Sequence, residues 1–291
     1  MEIGVFVQEQ TVDKAIEHIR DAGERGLARA WMPQIFGIDA LTVLAVAARE
    51  VPEIGLGTAV VPTYPRHPSA LATQARTVQQ VSGGRFTLGI GLSHQVVIEG
   101  MHGMKWGEVR HLRDYLSILT PLLAGEPVEY AGETLTGRLA LDIPADPVPT
   151  LVAALGPKML ALAGQMTAGT ATWMTGLDTV SSHVVPSIRA AAADAGRPDP
   201  QVVVALPVAV TDDPDAARER AAKVFKVYGA LPSYRAMMDR EGAAGPADLV
   251  IAGNEATVRA EIERFAEAGA TEFVVVPFLE RERTLDLAAE L

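Results

Sequence analysis

The sequence predicts an α/β protein folded as a (β/α)8 barrel of the TIM type, with insertions after the fourth strand and before the eighth. Three observations carry this expectation. Eight short β-branched runs alternate with helical stretches along 291 residues. No G-x-G-x-x-G turn follows the first run, and the length suits one closed barrel with modest additions. An open doubly wound sheet would share the alternation but would normally carry that glycine turn. A single domain over residues 1–291 is expected.

The strands are expected at Glu2–Val7, Arg29–Met32, Ile54–Val61, Arg85–Gly91, Thr150–Leu155, Thr170–Met174, Val202–Val210 and Glu272–Val276. Most are continuous apolar runs, as strands buried on both faces require. The helices between them are marked by capping residues. Thr11 precedes VDKAIEHIRDAGERG, Asp39 precedes ALTVLAVAARE, and Asn254 precedes EATVRAEIERFAEAG, whose Gly269 suits the position after a helix. The first insertion, His94 to Pro149, holds a helix around Val109–Leu123 and an alternation, VEYAGETLTGRLALD, that reads as a hairpin. The second, Val227 to Pro246, carries two tyrosines and paired methionines. A barrel's chemistry sits on its βα loops, so both insertions are candidate walls or lids, with ordinary decoration the competing reading.

Composition narrows the function. With 48% hydrophobic and 21% charged residues the chain can bury a large core. A net charge of −11, unbroken by any Lys/Arg stripe, argues against a nucleic-acid partner. The lack of cysteine removes disulfides, thiolate metal sites and a Cys nucleophile, and suits a cytoplasmic location. Apolar stretches such as Ala40–Ala48 are broken by charge well short of the roughly 18 residues a membrane span needs, and MEIGVFVQEQ reads as a strand, not a signal peptide. HExxH, G-x-S-x-G and Walker patterns are absent, and no metal site is expected. Cofactor redox chemistry on a small-molecule substrate is the least contrived use of such a barrel. Assembly is left open, a homodimer included.

The segment GLGTAVVPTYPRHPSALATQARTVQQVSGGRFTLGIGLSH, residues 55–94, resembles the third-to-fourth-strand unit of the luciferase-like monooxygenase superfamily. It holds LGT on a strand, R-H-P at Arg66–Pro68, S-G-G-R at Ser82–Arg85 and LGIG at Leu88–Gly91, in order. ALGPKMLALAG, residues 154–164, is similar to the fifth-strand motif of the F420-dependent branch, and the closing GNEATVRAEIERFAEAGATEFVVV to that family's last helix and strand. The resemblance implies an oxidoreductase that moves a hydride between the deazaflavin F420 and an organic substrate. The alternatives are an FMN-dependent monooxygenase of the same fold and a non-catalytic flavin-binding protein.

The site follows from residues matched to that pattern. Gly156, Pro157 and Lys158, after Leu155, form a strand-to-helix turn whose amides and lysine suit a phosphate; a tidy structural turn is the competing view. The resemblance places a bulge with a non-prolyl cis peptide between Ala59 and Val60, near Pro62, against the cofactor ring. Where better-known relatives carry an Asp-His pair, WMPQIF gives Gln34 and Ile35. Gln34 can hydrogen-bond a ring edge; Ile35 can only pack. His94 stands where those relatives carry a proton-donating carboxylate, and is the candidate catalytic and cofactor-contacting residue. Trp173, Met174 and Thr175 close the sixth strand as candidate substrate-pocket residues, with core filling the competing reading for the Trp. His67, in the R-H-P turn, is expected to serve packing, with lining of the cofactor tail the competing reading. His18 and His183, on helices, are expected at the surface.

Overall fold

The computed structural model describes residues 1–291, the side chain of Glu108 excepted. In chain order its elements are β1 (Glu2–Phe6), α1 (Val12–Glu24), β2 (Arg29–Met32), α2 (Ala40–Glu50), β3 (Gly55–Thr58), β4 (Val61–Pro62), α3 (Pro68–Ser82), β5 (Phe86–Gly91), α4 (Gln95–Gly100) and α5 (Glu108–Ala124). There follow β6 (Val128–Ala131), β7 (Thr136–Leu139), β8 (Thr150–Val152), α6 (Pro157–Met166), β9 (Gly169–Trp173), α7 (Leu177–Thr179), α8 (Val185–Asp194) and β10 (Gln201–Val210). The chain ends with α9 (Pro214–Val224), α10 (Pro232–Glu241), β11 (Ile251–Gly253), α11 (Glu255–Glu267), β12 (Glu272–Pro277) and α12 (Arg281–Ala289).

Among the described residues, parallel pairings run β12-β1-β2-β3-β5-β8-β9-β10 and return from β10 to β12, which closes the barrel. These are the eight strands expected from the sequence. Thr11, Asp39 and Asn254 each cap their helix by accepting an amide three residues on, and Gly269 takes φ +96°. β6 and β7 form the expected antiparallel hairpin, Val128 opposite Leu139. No described helix is long and apolar enough to cross a membrane.

Side-chain alternation divides the core into two layers. Along β12, Phe273 and Val275 face the helical shell, whereas Val274 joins Trp31, Leu151, Ala171, Val203 and Ala205 in a separate interior cluster. The inward Glu272 shares this parity and accepts the Trp31 indole N–H at 2.6 Å. Room for the pair is made by two glycines: a Cβ on Gly57 would run into the Trp31 ring, and one on Gly4 into the Glu272 carboxylate.

The shared motifs prove to be structural staples. The Arg85 guanidinium, after positive-φ Gly83 and Gly84, ties together the carbonyls of Ala48, Val51 and Ile54, while its Nε takes Ser82 O. Its burial lowers its pKa. Arg66 pairs with Asp39 at 2.5 Å, and His67 caps α3 by accepting the Ser69 amide at 3.2 Å. His67 is exposed, so capping rather than core packing is its role.

Three expectations are corrected. The third strand is not continuous from Ile54 to Val61: it breaks after Thr58, because Ala59 and Val60 leave the ladder before Val61–Pro62 rejoins Ile90–Gly91. The fifth strand ends at Val152 rather than Leu155, its last residues being spent on the turn into α6. His183 is buried, not at the surface, because a π-helical stretch, Val180–Val184, turns its ring inward. The sequence reading also passed over β11, which pairs only with the end of β10, and the closing α12.

Candidate active site

The C-terminal ends of the barrel strands bring most of the expected residues around one mouth. On the side of strands β2 to β8 lies the break in the third strand. The Ala59–Val60 peptide is cis. Thr58 Oγ1 donates to Gly89 O at 2.8 Å and accepts from Gly89 N at 2.9 Å, and Val60 packs against the same strand. A Cβ on Gly89 would run into Thr58 O, and one on Gly91 would come within 2.8 Å of Val60 Cγ2. The two glycines of LGIG therefore make the break possible. Gln34 N reaches Val60 O at 3.4 Å and Gln34 Oε1 accepts the Ala40 amide at 2.8 Å, which orients the side chain and leaves its amino group without a described partner. Pro62 is partly buried beside Gly91, and Ile35 is exposed.

Next to this break, Gly156 is the N-cap of α6, with Pro157 at its first position. Pro157 has no N–H, and the Gly156 and Lys158 amides meet no protein acceptor among the described hydrogen bonds. The space beside Gly156 is open, since a Cβ there would meet nothing within 4 Å. Lys158 is exposed and joins none of the described ion pairs. The turn is fixed from behind, where His183 Nε2–H donates to Leu155 O at 2.8 Å. Two unpaired amides at a helix N-terminus, an exposed lysine and open approach are groups that can receive an anion.

The opposite side is aromatic. Trp173 stacks on Phe6 at 6.4 Å and meets Phe225 and Tyr228 edge-on at 5.8 and 5.9 Å. Phe225 continues to Phe278, and Tyr228 to Tyr234. Trp173 Nε1 is buried and lacks a hydrogen bond of good geometry. Burial raises the Tyr228 hydroxyl, and the Trp173 N–H pulls it the other way. Met174 and Thr175 are fully buried, so Trp173 alone of that trio reaches the mouth. Met174, at φ +51°, and Ser93, at φ +62°, hold left-handed backbone that costs non-glycine residues about 1–3 kcal/mol each, beside two of the mouth loops.

Between the two sides stands His94. It occupies the N-cap of α4 without capping it, and its ring lies 5.8 Å from that of Tyr234. Burial lowers its pKa from 6.5, so the imidazole is neutral at neutral pH. Sequence reasoning missed Phe6, Phe225, Phe278 and His183 around the mouth. The tyrosines of the second insertion were the one signal pointing there. No group of three or more His, Asp or Glu residues suited to a metal occurs among the described residues. Two open grooves, of about 340 and 390 Å³, lie elsewhere, beside α1 and α12 and beside the β6–β7 hairpin.

The strands thus close into a (β/α)8 barrel whose third strand is interrupted at the cis Ala59–Val60 peptide. The chain belongs to the luciferase-like monooxygenase family, whose sequence profile matches residues 1–272. It is 29% identical over 247 residues to a 5,10-methylenetetrahydromethanopterin reductase of Methanolobus tindarius, covering 81% of this chain and 73% of that one. It is 32% identical over 241 residues to an F420-dependent glucose-6-phosphate dehydrogenase of Beutenbergia cavernae, covering 80% and 66%. The coenzyme F420 dependent tetrahydromethanopterin reductase of Methanopyrus kandleri superposes with a TM-score of 0.84 at 23% identity, over 100% of this chain and 98% of that one.

Proposed function

We propose that this chain is an F420-dependent oxidoreductase that moves a hydride between the deazaflavin and a small organic substrate. The observation that carries the reading is the Gly156–Lys158 turn, whose free amides and exposed lysine face open space at the N-terminus of α6. The names of the Methanolobus and Beutenbergia relatives support it.

Bound there, the deazaflavin would supply a two-electron hydride carrier. The chain's own residues have the remaining tasks. Gly156, Pro157 and Lys158, backed by Leu155 and His183, would hold the phosphate of its tail. Ala59, Val60 and Pro62 would support the ring, and the Gln34 amino group would meet a ring edge. His94 would hold or release the proton that accompanies hydride transfer at the substrate, and the aromatic side of the mouth would exclude water.

The test is a pair of binding titrations of cofactor-free protein, with F420 and with FMN. F420 is expected to bind at least about tenfold more tightly, a gap of roughly 1.4 kcal/mol. Equal affinities, or FMN retained through purification, would overturn the assignment in favour of an FMN enzyme.

A further inference from the structure

We infer that His183 is a positioning residue for the cofactor's phosphate, and the joint through which the second insertion is coupled to the turn that receives it. This rests on the proposed function, in which the Gly156–Lys158 turn takes that phosphate.

A peptide group is planar and trans, so the Leu155 carbonyl and the Gly156 N–H point to opposite sides of one plane. His183 Nε2 lies 2.8 Å from Leu155 O, and because a carbonyl only accepts, the imidazole is the donor. By holding the carbonyl towards its own buried ring, His183 turns the Gly156 N–H the other way, where it meets no described protein acceptor. Glycine offers little resistance to rotation of that peptide. Without the imidazole the carbonyl is free to swing outward, which would present a negative dipole end to the phosphate in place of a donor.

The imidazole is in turn held from the second insertion. Its π-helical stretch, Val180–Val184, leaves Ser181 and Ser182 exposed while burying His183, and it is continuous with α7 before it and α8 after it. At the start of this run Glu241 of α10 accepts the amides of Asp178 and Thr179 at 3.1 and 2.7 Å, and Thr179 Oγ1 donates to Met237 O at 3.3 Å. Farther along, α8 lies so close to α6 that a Cβ on Gly164 would come within 2.6 Å of Ile188 O. From α10 to the peptide that opens α6 there is thus an unbroken series of hydrogen-bonded or packed pieces, with His183 at the last joint. Such a contiguous series can carry coupling in both directions, so a phosphate that fixes the Leu155–Gly156 peptide also steadies the insertion.

Fluorescence titrations of the wild-type chain, His183→Met and His183→Gln test the inference, each with F420 and with its phosphate-free fragment, the deazaflavin ring bearing only its ribityl chain. The wild type is expected to prefer F420 by at least about tenfold. His183→Met, which keeps the bulk and lacks the donor, should lose most of that preference while binding the fragment within about threefold of wild type. His183→Gln, whose amide can donate, should restore it. In amide exchange on the wild type, F420 but not the fragment should protect residues 177–183 and 226–246. Where His183→Met fails to fold, as judged by circular dichroism, the exchange measurement decides alone. A folded Met variant that keeps the preference or loses both ligands equally, a Gln variant no better than Met, or F420 protection that stops short of 226–246 overturns the inference. If the wild type does not bind F420, the cofactor reading itself falls. If the wild type shows the preference and His183→Met keeps it, the cofactor reading stands and the inference alone fails.

Discussion

The indole N–H of Trp31 donates to Glu272 Oε1 at 2.6 Å inside the barrel, joining residues 241 apart in the chain. Arg29 adds its Nε at 3.6 Å from the other carboxylate oxygen. Burial nevertheless dominates and raises the Glu272 pKa above 4.5, with Arg29 and then Trp31 pulling it down. An acid raised on folding favours the folded state most below its ordinary value, and that contribution is lost as pH rises through the raised value. Trp31→Phe should therefore destabilise the barrel by about 1–3 kcal/mol, more at neutral pH than near pH 4.5, because the fraction of Glu272 left charged without its donor grows as pH rises. Urea unfolding at the two pH values measures this. An equal loss at both would show that the indole acts by packing alone.

Such a pair has no local signature, which marks the boundary of what the sequence could tell. The strand order was legible because parallel strands covered on both faces are written as apolar runs, and the caps because Thr11, Asp39 and Asn254 act within three residues. The turn from Leu155 into α6 was legible for the same reason, Gly156, Pro157 and Lys158 being consecutive. The aromatic half of the mouth was not. Phe6 and Phe278 come from opposite ends of the chain and are linked only through Trp173 and Phe225, and Tyr234 joins them only through Tyr228. His183 was misplaced because helical spacing gives no warning of a π-helical turn. The break at Ala59–Val60 was anticipated from family resemblance rather than from its own residues, which read equally well as regular strand.

One carboxylate ties the second insertion to the loop that follows β9. Glu241, at the end of α10, accepts the amides of Asp178 at 3.1 Å and Thr179 at 2.7 Å, capping α7 from a distant part of the chain. A Cβ on Gly176 would run into that carboxylate, so the glycine is what lets it approach. Glu241→Ala should cost about 1–2 kcal/mol, felt locally. Amide exchange across residues 226–246 should quicken several-fold while the barrel strands keep their protection. Unchanged exchange in the insertion would mean that the aromatic contacts alone hold it.

Lys158 should matter to cofactor affinity and little to folding, since its side chain is exposed at the start of α6. A charge-assisted contact to phosphate is worth about 1.5–3 kcal/mol, so Lys158→Ala should weaken F420 binding roughly tenfold to a hundredfold with the melting temperature nearly unchanged. Wild-type affinity combined with a lowered melting temperature would make the turn structural only.

His94 is expected to take part in proton transfer, and its environment fixes where that should appear in a pH profile. The imidazole is partly buried, makes no described hydrogen bond and lies 5.8 Å from Tyr234, and burial sets its pKa below 6.5. At neutral pH it is a free base, ready to accept a proton from an alcohol. Oxidation of an alcohol through His94 should be flat at neutral pH and fall as pH drops through the lowered value. Reduction of a carbonyl needs the protonated ring and should instead rise over the same window, so the two directions, each assayed by itself, should show limbs of opposite sign. His94→Ala should remove the limb and cut turnover by about 10²–10⁴-fold while leaving F420 affinity nearly unchanged. If His94 only packs against Tyr234 or steadies the ring, the variant will bind more weakly yet turn over normally at saturation. A limb below pH 6.5 that survives in His94→Ala would assign the proton to another group.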